Sequence, residues 1–385
     1  MAAARGPMDR TYFLTAWACM ITGIVFVFSA SFPVAGRPNA AGLAGNPYKY
    51  LLEHSAHVGF ALLAMVGVSV LRPRTLRRYG GYALVATLVL VGLCLLSPWG
   101  VELRWLKLPG LPTFQPSELA KVAFIAVLAG ILAAKDEKPR GSRESGKDGE
   151  SARRAWAYWL VLIITGVVVA LLLMQLDQGM ASMFVAISLA LLFLAGASMA
   201  WLVPLTIGLL GGGLLIARLV EYRWDRVIAF LDPEKYIHGA GYHNVNMLIA
   251  LSRGRVLGLG LGMSPDKWRS LPAAHTDSIF CVVGGELGFI GGLLVLIAIG
   301  LLTYQAVKIA RDADNPFAWY LTLGVAAALC IQSLANIAVA TSCIPCTGLT
   351  LPFISAGGTS LVSASIAVGM VLSVSRYCNG SETER

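Results

Sequence analysis

The chain has 385 residues, 57% of them hydrophobic and only 13% charged, and a mean hydropathy of +0.71. A soluble domain carries about 25% charged residues, so the composition excludes one and requires a polytopic membrane protein. The formal net charge of +9 raises nucleic acid or anionic lipid as partners, but much of it is ordinary topology charge, and no nucleic acid partner is expected.

Apolar runs of about 20 residues, the length that crosses a bilayer as a helix, recur at 11–32, 54–71, 80–98, 117–134, 156–174, 180–198, 200–219, 278–302, 317–340 and 353–375. They predict an all-α protein of about ten transmembrane helices forming one integral membrane domain over residues 1–385, with one long external loop between the seventh and eighth. Arg5 and Arg10 precede the first span, and Arg72, Arg74, Arg77 and Arg78 follow the second. Lys135 through Arg154 follows the fourth, and Lys308 and Arg311 the eighth. Because short cytoplasmic loops carry the Lys and Arg excess, these all fall inside and both termini are cytoplasmic. The loops 33–53, 99–116, 220–277 and 341–352 are then external. The first apolar run is long and lacks a convincing cleavage site, so no cleavable signal peptide is expected.

The fourth span opens with FQPSELAK. Pro116 suits a first helical turn, Ser117 and Glu118 bring polarity and negative charge to the N-terminal end, and Glu118 and Lys121 share a face three residues apart. A helix start with a local ion pair explains the string as well as a functional site does. Its position at the outer surface lets Glu118 and Lys121 share a cavity with Asp277. Further on, residues 135–155 are Gly, Ser and mixed charge with almost no apolar content, and read as a flexible cytoplasmic loop, with a regulatory docking segment as the alternative.

The external loop 220–277 crowds Arg223, Arg226, Lys235, Arg253, Arg255, Lys267 and Arg269 together. Long loops escape the charge rule, which leaves two readings: no special role, or a surface for an anion such as a diphosphate. The loop ends at Asp277 in LPAAHTDSIF. A carboxylate at a membrane boundary is costly unless solvated or paired, so such acids read by default as functional; a helix cap is the alternative. His275 has an unperturbed pKa near neutrality and ranks second as a base. Glu286 lies nine residues beyond Asp277, more than two turns deeper, and is expected to pair within the bundle. The seven cysteines fall mostly in spans as small apolar residues. Cys343 and Cys346 form a Cys-x-x-Cys pair with no second pair, which argues against a zinc site.

Taken together, FQPSELAK, YRWDRVIAFLDP, GLGLGMSPDKWRSLPAAHTDSIF, GGELGFIGG and GLTLPFISAGGTSLV resemble the SEDS proteins (shape, elongation, division and sporulation), and most closely their FtsW branch, with RodA and SpoVE as relatives. The resemblance implies a ten-helix peptidoglycan glycosyltransferase that polymerises lipid II at the outer face of the bacterial cytoplasmic membrane. Partners implied are a class B penicillin-binding protein and other division-complex membrane proteins. It implies Asp277 as the catalytic acid of the HTD motif. It also implies Glu118, Lys121, Arg223, Arg226 and Lys267 as substrate-binding residues, beside which Arg104, His275 and Ser355 are candidates for the same set. A divalent cation, Mg or Mn, is a possible cofactor. The chain departs from the family's pattern at His243, Asn246 and Met247 in GYHNVNM, at Arg253 and Arg255 in SRGR, at Ser278 in HTDS, at Gly285 and at Ala356. A lipid II flippase or a non-catalytic scaffold for the transpeptidase is the alternative function.

Overall fold

The computed structural model describes residues 6–36, 45–96, 100–101, 103–107, 113–137, 147–233, 235–236, 239, 241–269 and 271–378. Among them, nine helices are long and apolar enough to cross a membrane. They are α1 (Arg10–Ala35), α2 (Lys49–Ser69), α3 (Pro73–Leu96), α4 (Pro116–Asp136), α5 (Lys147–Met174), α7 (Met199–Leu219), α11 (Ile279–Arg311), α12 (Pro316–Ala340) and α13 (Gly358–Cys378). The apolar α6 (Gln178–Leu194) has 17 residues, at the lower limit for a crossing, and supplies the tenth. The expected external loop contains three helices of its own, α8 (Glu221–Leu231), α9 (Tyr242–Gly254) and α10 (Asp266–Arg269). A two-stranded ribbon, Gly100–Val101 against Trp105–Leu106, precedes α4.

Local chemistry sets the helix starts. Asp9, Asp177 and Asn315 each accept a backbone N–H three residues on, at 2.9, 3.1 and 2.9 Å, which satisfies a donor the helix cannot. Proline opens α3, α4 and α12, where its missing N–H costs nothing. Three boundaries differ from expectation. Of the arginines after the second span, Arg72 precedes α3, and Arg74, Arg77 and Arg78 lie in its first turns, since it begins at Pro73. α5 reaches back to Lys147, so the second half of the predicted flexible loop is helical, supported by the Arg154–Glu150 pair one turn apart; residues 138–146 lie outside the described residues. The last span starts five residues late, because 351–357 around Pro352 forms turns instead.

The centre of the bundle is α4, α12 and α13. α13 is enclosed most completely and packs on α2, α4 and α12. Lipid is as apolar as leucine, so membrane helices associate through small and hydrogen-bonding residues. Buried Ser365, Ser373 and Ser375 give α13 that character, their hydroxyls donating to backbone carbonyls. At Gly369 a methyl group would stand 2.6 Å from the Met65 carbonyl, so α2 approaches at backbone distance. α7 is the opposite case, peripheral and touching α6 and α8. At the end remote from Asp277, Lys135 donates to the Ala195 carbonyl at 2.6 Å and Tyr320 to Asp136 at 2.8 Å, tying α4, α6 and α12 together.

Candidate active site

At the first turns of α4 the charges are buried and fully engaged. Glu118 and Lys121 are each 4% exposed and 2.6 Å apart. Lys121 also donates to Gln332 of α12 at 2.6 Å, and Ser363 of α13 donates to Glu118 at 3.0 Å. Gln332 turns its amide to the Thr350 carbonyl at 3.0 Å. The knot fastens three central helices, and a buried pair is tolerable only when its remaining donors and acceptors are met in this way.

One turn along α12, Asn336 donates both to the Asp277 carbonyl at 3.1 Å and to the Leu349 carbonyl at 2.7 Å. The loop carrying Asp277 is held from further sides. Ser355 donates to the Thr276 carbonyl at 2.7 Å, and the Ala356 N–H to the His275 carbonyl at 2.8 Å. Ser278 donates to the Pro272 carbonyl at 2.9 Å and meets His243 of α9 at 3.1 Å. These tethers hold the backbone and do not take up the carboxylate, beside which a methyl group on Gly348 would stand at 3.7 Å.

Burial pushes the Asp277 carboxyl above its ordinary range, and the guanidinium groups of Arg226 and Arg104 pull it part of the way back. Arg226 also donates to the Cys346 carbonyl at 3.3 Å, and Arg104 to the Leu176 carbonyl at 2.7 Å. A second acid stands near: Asp177, the cap of α6, accepts from Gln115 at 2.9 Å. Burial raises its carboxyl too, against the Met180 N–H and Arg104, while Glu118 adds to the rise. The charge of Arg104 therefore acts on two carboxylates, Asp177 buried and Asp277 half-buried. Burial lowers the His275 imidazole below its usual value, so near neutrality it is uncharged; its ring lies tilted against Tyr50 with centroids 5.0 Å apart. A raised carboxylate between fixed cations is suited to accepting a proton where an anion also gathers.

Residues 9–380 match the family model described as cell cycle protein, FtsW/RodA/SpoVE. The chain belongs to this family. Relatives include the probable peptidoglycan glycosyltransferase FtsW of Idiomarina loihiensis, 34% identical across 95% of this chain and 86% of that protein. The corresponding protein of Aliivibrio salmonicida is also 34% identical, across 96% and 89%. Among solved structures, a chain from a study of the structural coordination of polymerization and crosslinking by a peptidoglycan synthase complex superposes with a TM-score of 0.72. It is 27% identical and covers 96% of this chain and 98% of that one. The rod shape determining protein RodA of Thermus thermophilus gives 0.65 at 25% identity, covering 96% and 97%.

Within this FtsW/RodA/SpoVE fold, the expected site residues divide. Arg104 and Arg226 act on Asp277 directly; Glu118 and Lys121 reach its loop through Gln332 and Asn336; His275 and Ser355 position that loop. Lys267 stands elsewhere, 2.7 Å from Glu286 and 2.8 Å from Ser29 of α1. Glu286 is fully buried and pairs within the bundle as expected. Arg223 lies on α8 with its side chain outside the described residues, as is that of Arg269. Two departures from the family pattern, His243 and Ser278, are each other's hydrogen-bond partners. Among the described residues no three His, Cys, Asp or Glu side chains gather to hold a metal ion, and the charges facing Asp277 are guanidinium groups, a poor fit to a cation.

Asp177, Gln115, Gln332 and Asn336 were not anticipated as site residues. Asp177 had a signal, being the single acid between two apolar runs in MQLDQGM. Gln332 and Asn336 had one also: two amides four apart inside a span face the same way and need partners there.

Proposed function

We propose that this chain is a peptidoglycan glycosyltransferase that polymerises lipid II at the outer face of the cytoplasmic membrane, in septal wall synthesis, alongside a class B penicillin-binding protein. The observation that carries the proposal is the Asp277 carboxylate, half-buried, raised by burial and under the opposing charge of Arg226 and Arg104. Chain growth joins the 4-hydroxyl of one GlcNAc to the anomeric carbon of a MurNAc carrying a lipid diphosphate. Asp277 accepts the hydroxyl proton as the new C–O bond forms. The bond from the anomeric carbon to the diphosphate breaks with inversion, giving a β-linkage, and polyprenyl diphosphate leaves with the electron pair. Arg104 and Arg226 stand where that negative charge accumulates and stabilise it without reorganising. The rigid loop tethers supply orientation.

The asymmetry of charge supports the outward placement. Arg74, Arg77, Arg78, Lys135, Lys308 and Arg311 lie at the helix ends remote from Asp277, which the distribution of Lys and Arg assigns to the cytoplasm. A divalent cation, if used, travels with the diphosphate as its counter-ion, and no step above depends on it. The test is conversion of labelled lipid II by the purified protein, with and without its cognate transpeptidase, for wild type and Asp277→Asn. A glycan ladder lost in the variant supports the proposal. Translocation of lipid II without polymer, or a ladder unchanged in Asp277→Asn, overturns it.

A further inference from the structure

The α11 helix is broken at Gly288, whose φ of 68° and ψ of −160° are open to glycine alone. The carbonyls freed at the break are met by the loop after α9. The N–H groups of Leu259 and Gly260 donate to the Gly285 and Glu286 carbonyls at 3.1 and 2.9 Å. In return Phe289 and Ile290 donate to the Arg255 and Val256 carbonyls at 2.9 and 3.3 Å. The two backbones touch: a methyl group on Gly258 would stand 2.1 Å from the Glu286 carbonyl, and one on Gly288 would stand 2.4 Å from the Gly258 nitrogen. Irregular backbone whose polar groups are satisfied by protein is what membrane depth demands and water does not.

Depth can be read along the helices. Residues 289–311 form a continuous helix of 23 residues ending at Arg311, about 34 Å at 1.5 Å per residue, against a hydrocarbon core of about 30 Å. The break therefore stands at the core boundary on the Asp277 side. Ser29, which Lys267 and Glu286 hold there, lies 19 residues beyond Arg10 of α1, about 28 Å by the same rise. The belt of exposed apolar residues on α11 begins at Phe289 and Ile290, level with Arg255 and Val256. Continuous with that belt, Leu257 is 77% and Met263 70% exposed, with Leu261 also exposed. A patch of this kind facing water would be an aggregation liability. Arg255 is exposed, and Arg253 reaches Asp266 at 2.8 Å with half its side chain still free. A groove of about 830 Å³ runs between these arginines and Leu257.

We propose that residues 252–263 are a re-entrant hairpin inserted into the leaflet on the Asp277 side. Leu257, Leu261 and Met263 lie among acyl chains, and Arg253 and Arg255 lie against the phosphates of anionic phospholipid. Cationic heads with apolar neighbours at a boundary are the arrangement that lipid phosphate and chain together select. Part of the loop between the seventh and eighth spans thus belongs to the membrane.

The test is spin-label depth measurement on the full chain with Cys343 and Cys346 replaced by Ser. Nitroxides go at Leu257→Cys and Leu261→Cys, with Leu293→Cys as a lipid-facing reference and Asp314→Cys as an aqueous one. The protein is placed in vesicles of phosphatidylcholine with phosphatidylglycerol. The hairpin labels are expected to collide with oxygen in preference to a water-soluble nickel chelate, shifting the depth parameter from the Asp314 value toward that of Leu293. Arg255→Glu in the same background is expected to move the Leu257 label toward the aqueous value in anionic vesicles, and less in pure phosphatidylcholine. Hairpin labels reading as Asp314 does overturn the proposal. Labels shielded from both colliders also overturn it, pointing to a second copy or a partner helix on this face.

Discussion

Asn336 bridges two carbonyl oxygens with one amide, that of Asp277 at 3.1 Å and that of Leu349 at 2.7 Å. The acid's backbone is therefore fixed to α12 independently of α11, to which it leads. Removing the donor in Asn336→Ala loosens the loop at the acid itself while the Ser355, Ala356 and Ser278 tethers remain, and misplacing a catalytic group by about 1 Å costs on the order of a hundredfold in rate. The expected outcome is a kcat for lipid II polymerisation reduced by roughly ten- to a hundredfold with the protein still folded, measured by single-turnover kinetics and thermal unfolding.

Asp277→Asn separates chemistry from stability. The folded-state pKa of Asp277 lies above its unfolded value because of burial, so ionisation opposes folding. That penalty is absent at low pH and is incurred as pH rises through the window between the two values. At neutral pH the neutral amide escapes it, so Asp277→Asn should unfold at the same or a higher temperature. Polymerisation should fall by at least about a hundredfold. A lower unfolding temperature would show that the carboxylate is structural.

The acid limb of the pH profile tests the electrostatics. A general base must be ionised, so kcat/KM should fall as pH drops through the Asp277 pKa, at a pH above that of an ordinary carboxylate. Arg226 and Arg104 both favour the charged form, so Arg226→Gln or Arg104→Gln should move the limb to still higher pH. A limb that stays in place in both variants would separate these cations from the base.

The Glu118–Lys121 pair predicts non-additivity. Lys121→Met leaves Glu118 buried with Ser363 as its remaining partner, and orphaning one member of a buried pair costs about 3–5 kcal/mol. The double variant Glu118→Gln, Lys121→Met removes both charges and should recover most of that loss. Unfolding of the wild type, Glu118→Gln, Lys121→Met and the double variant in detergent gives the coupling; a double-variant loss equal to the sum of the two single losses would mean the charges do not interact.

Gly288→Ala should be among the most damaging single changes away from the acid. The added methyl meets Gly258 and Val256 backbone atoms at 2.4 Å, at a positive φ. The expected result is poor folding yield or a fall in unfolding temperature, while Gly300→Ala, with nothing within 4 Å, should be silent.

Much of this architecture is legible in the residues. Span count, the loop position of Asp277 and the pairing of Glu118 with Lys121 follow from hydropathy, charge placement and helical spacing, because those obey one-dimensional rules. What stays hidden depends on contacts distant in sequence. Lys267 reads as one more loop cation until Glu286 and Ser29 are seen to enclose it. Arg253 likewise acquires meaning only beside Asp266. Ser355, expected to line substrate, closes on the Thr276 carbonyl, and nothing in the string SAGG announces a partner 79 residues away. Asp177 lay within reach of sequence reasoning, since a solitary acid between two spans needs an account.

The discontinuity at Gly288 has a mechanical meaning for the acid that precedes it. The stretch below is gripped by hydrocarbon and must tilt or shift whenever bilayer thickness fluctuates. The short piece above it answers also to Asn336, Ser355 and the Lys267–Glu286 staple. Because Gly285, Glu286, Phe289 and Ile290 are all bonded to residues 255–260, the turn at Gly288 is splinted across its two sides, and the piece that leads to the acid is tied to the membrane-spanning piece through that loop as well as through the glycine.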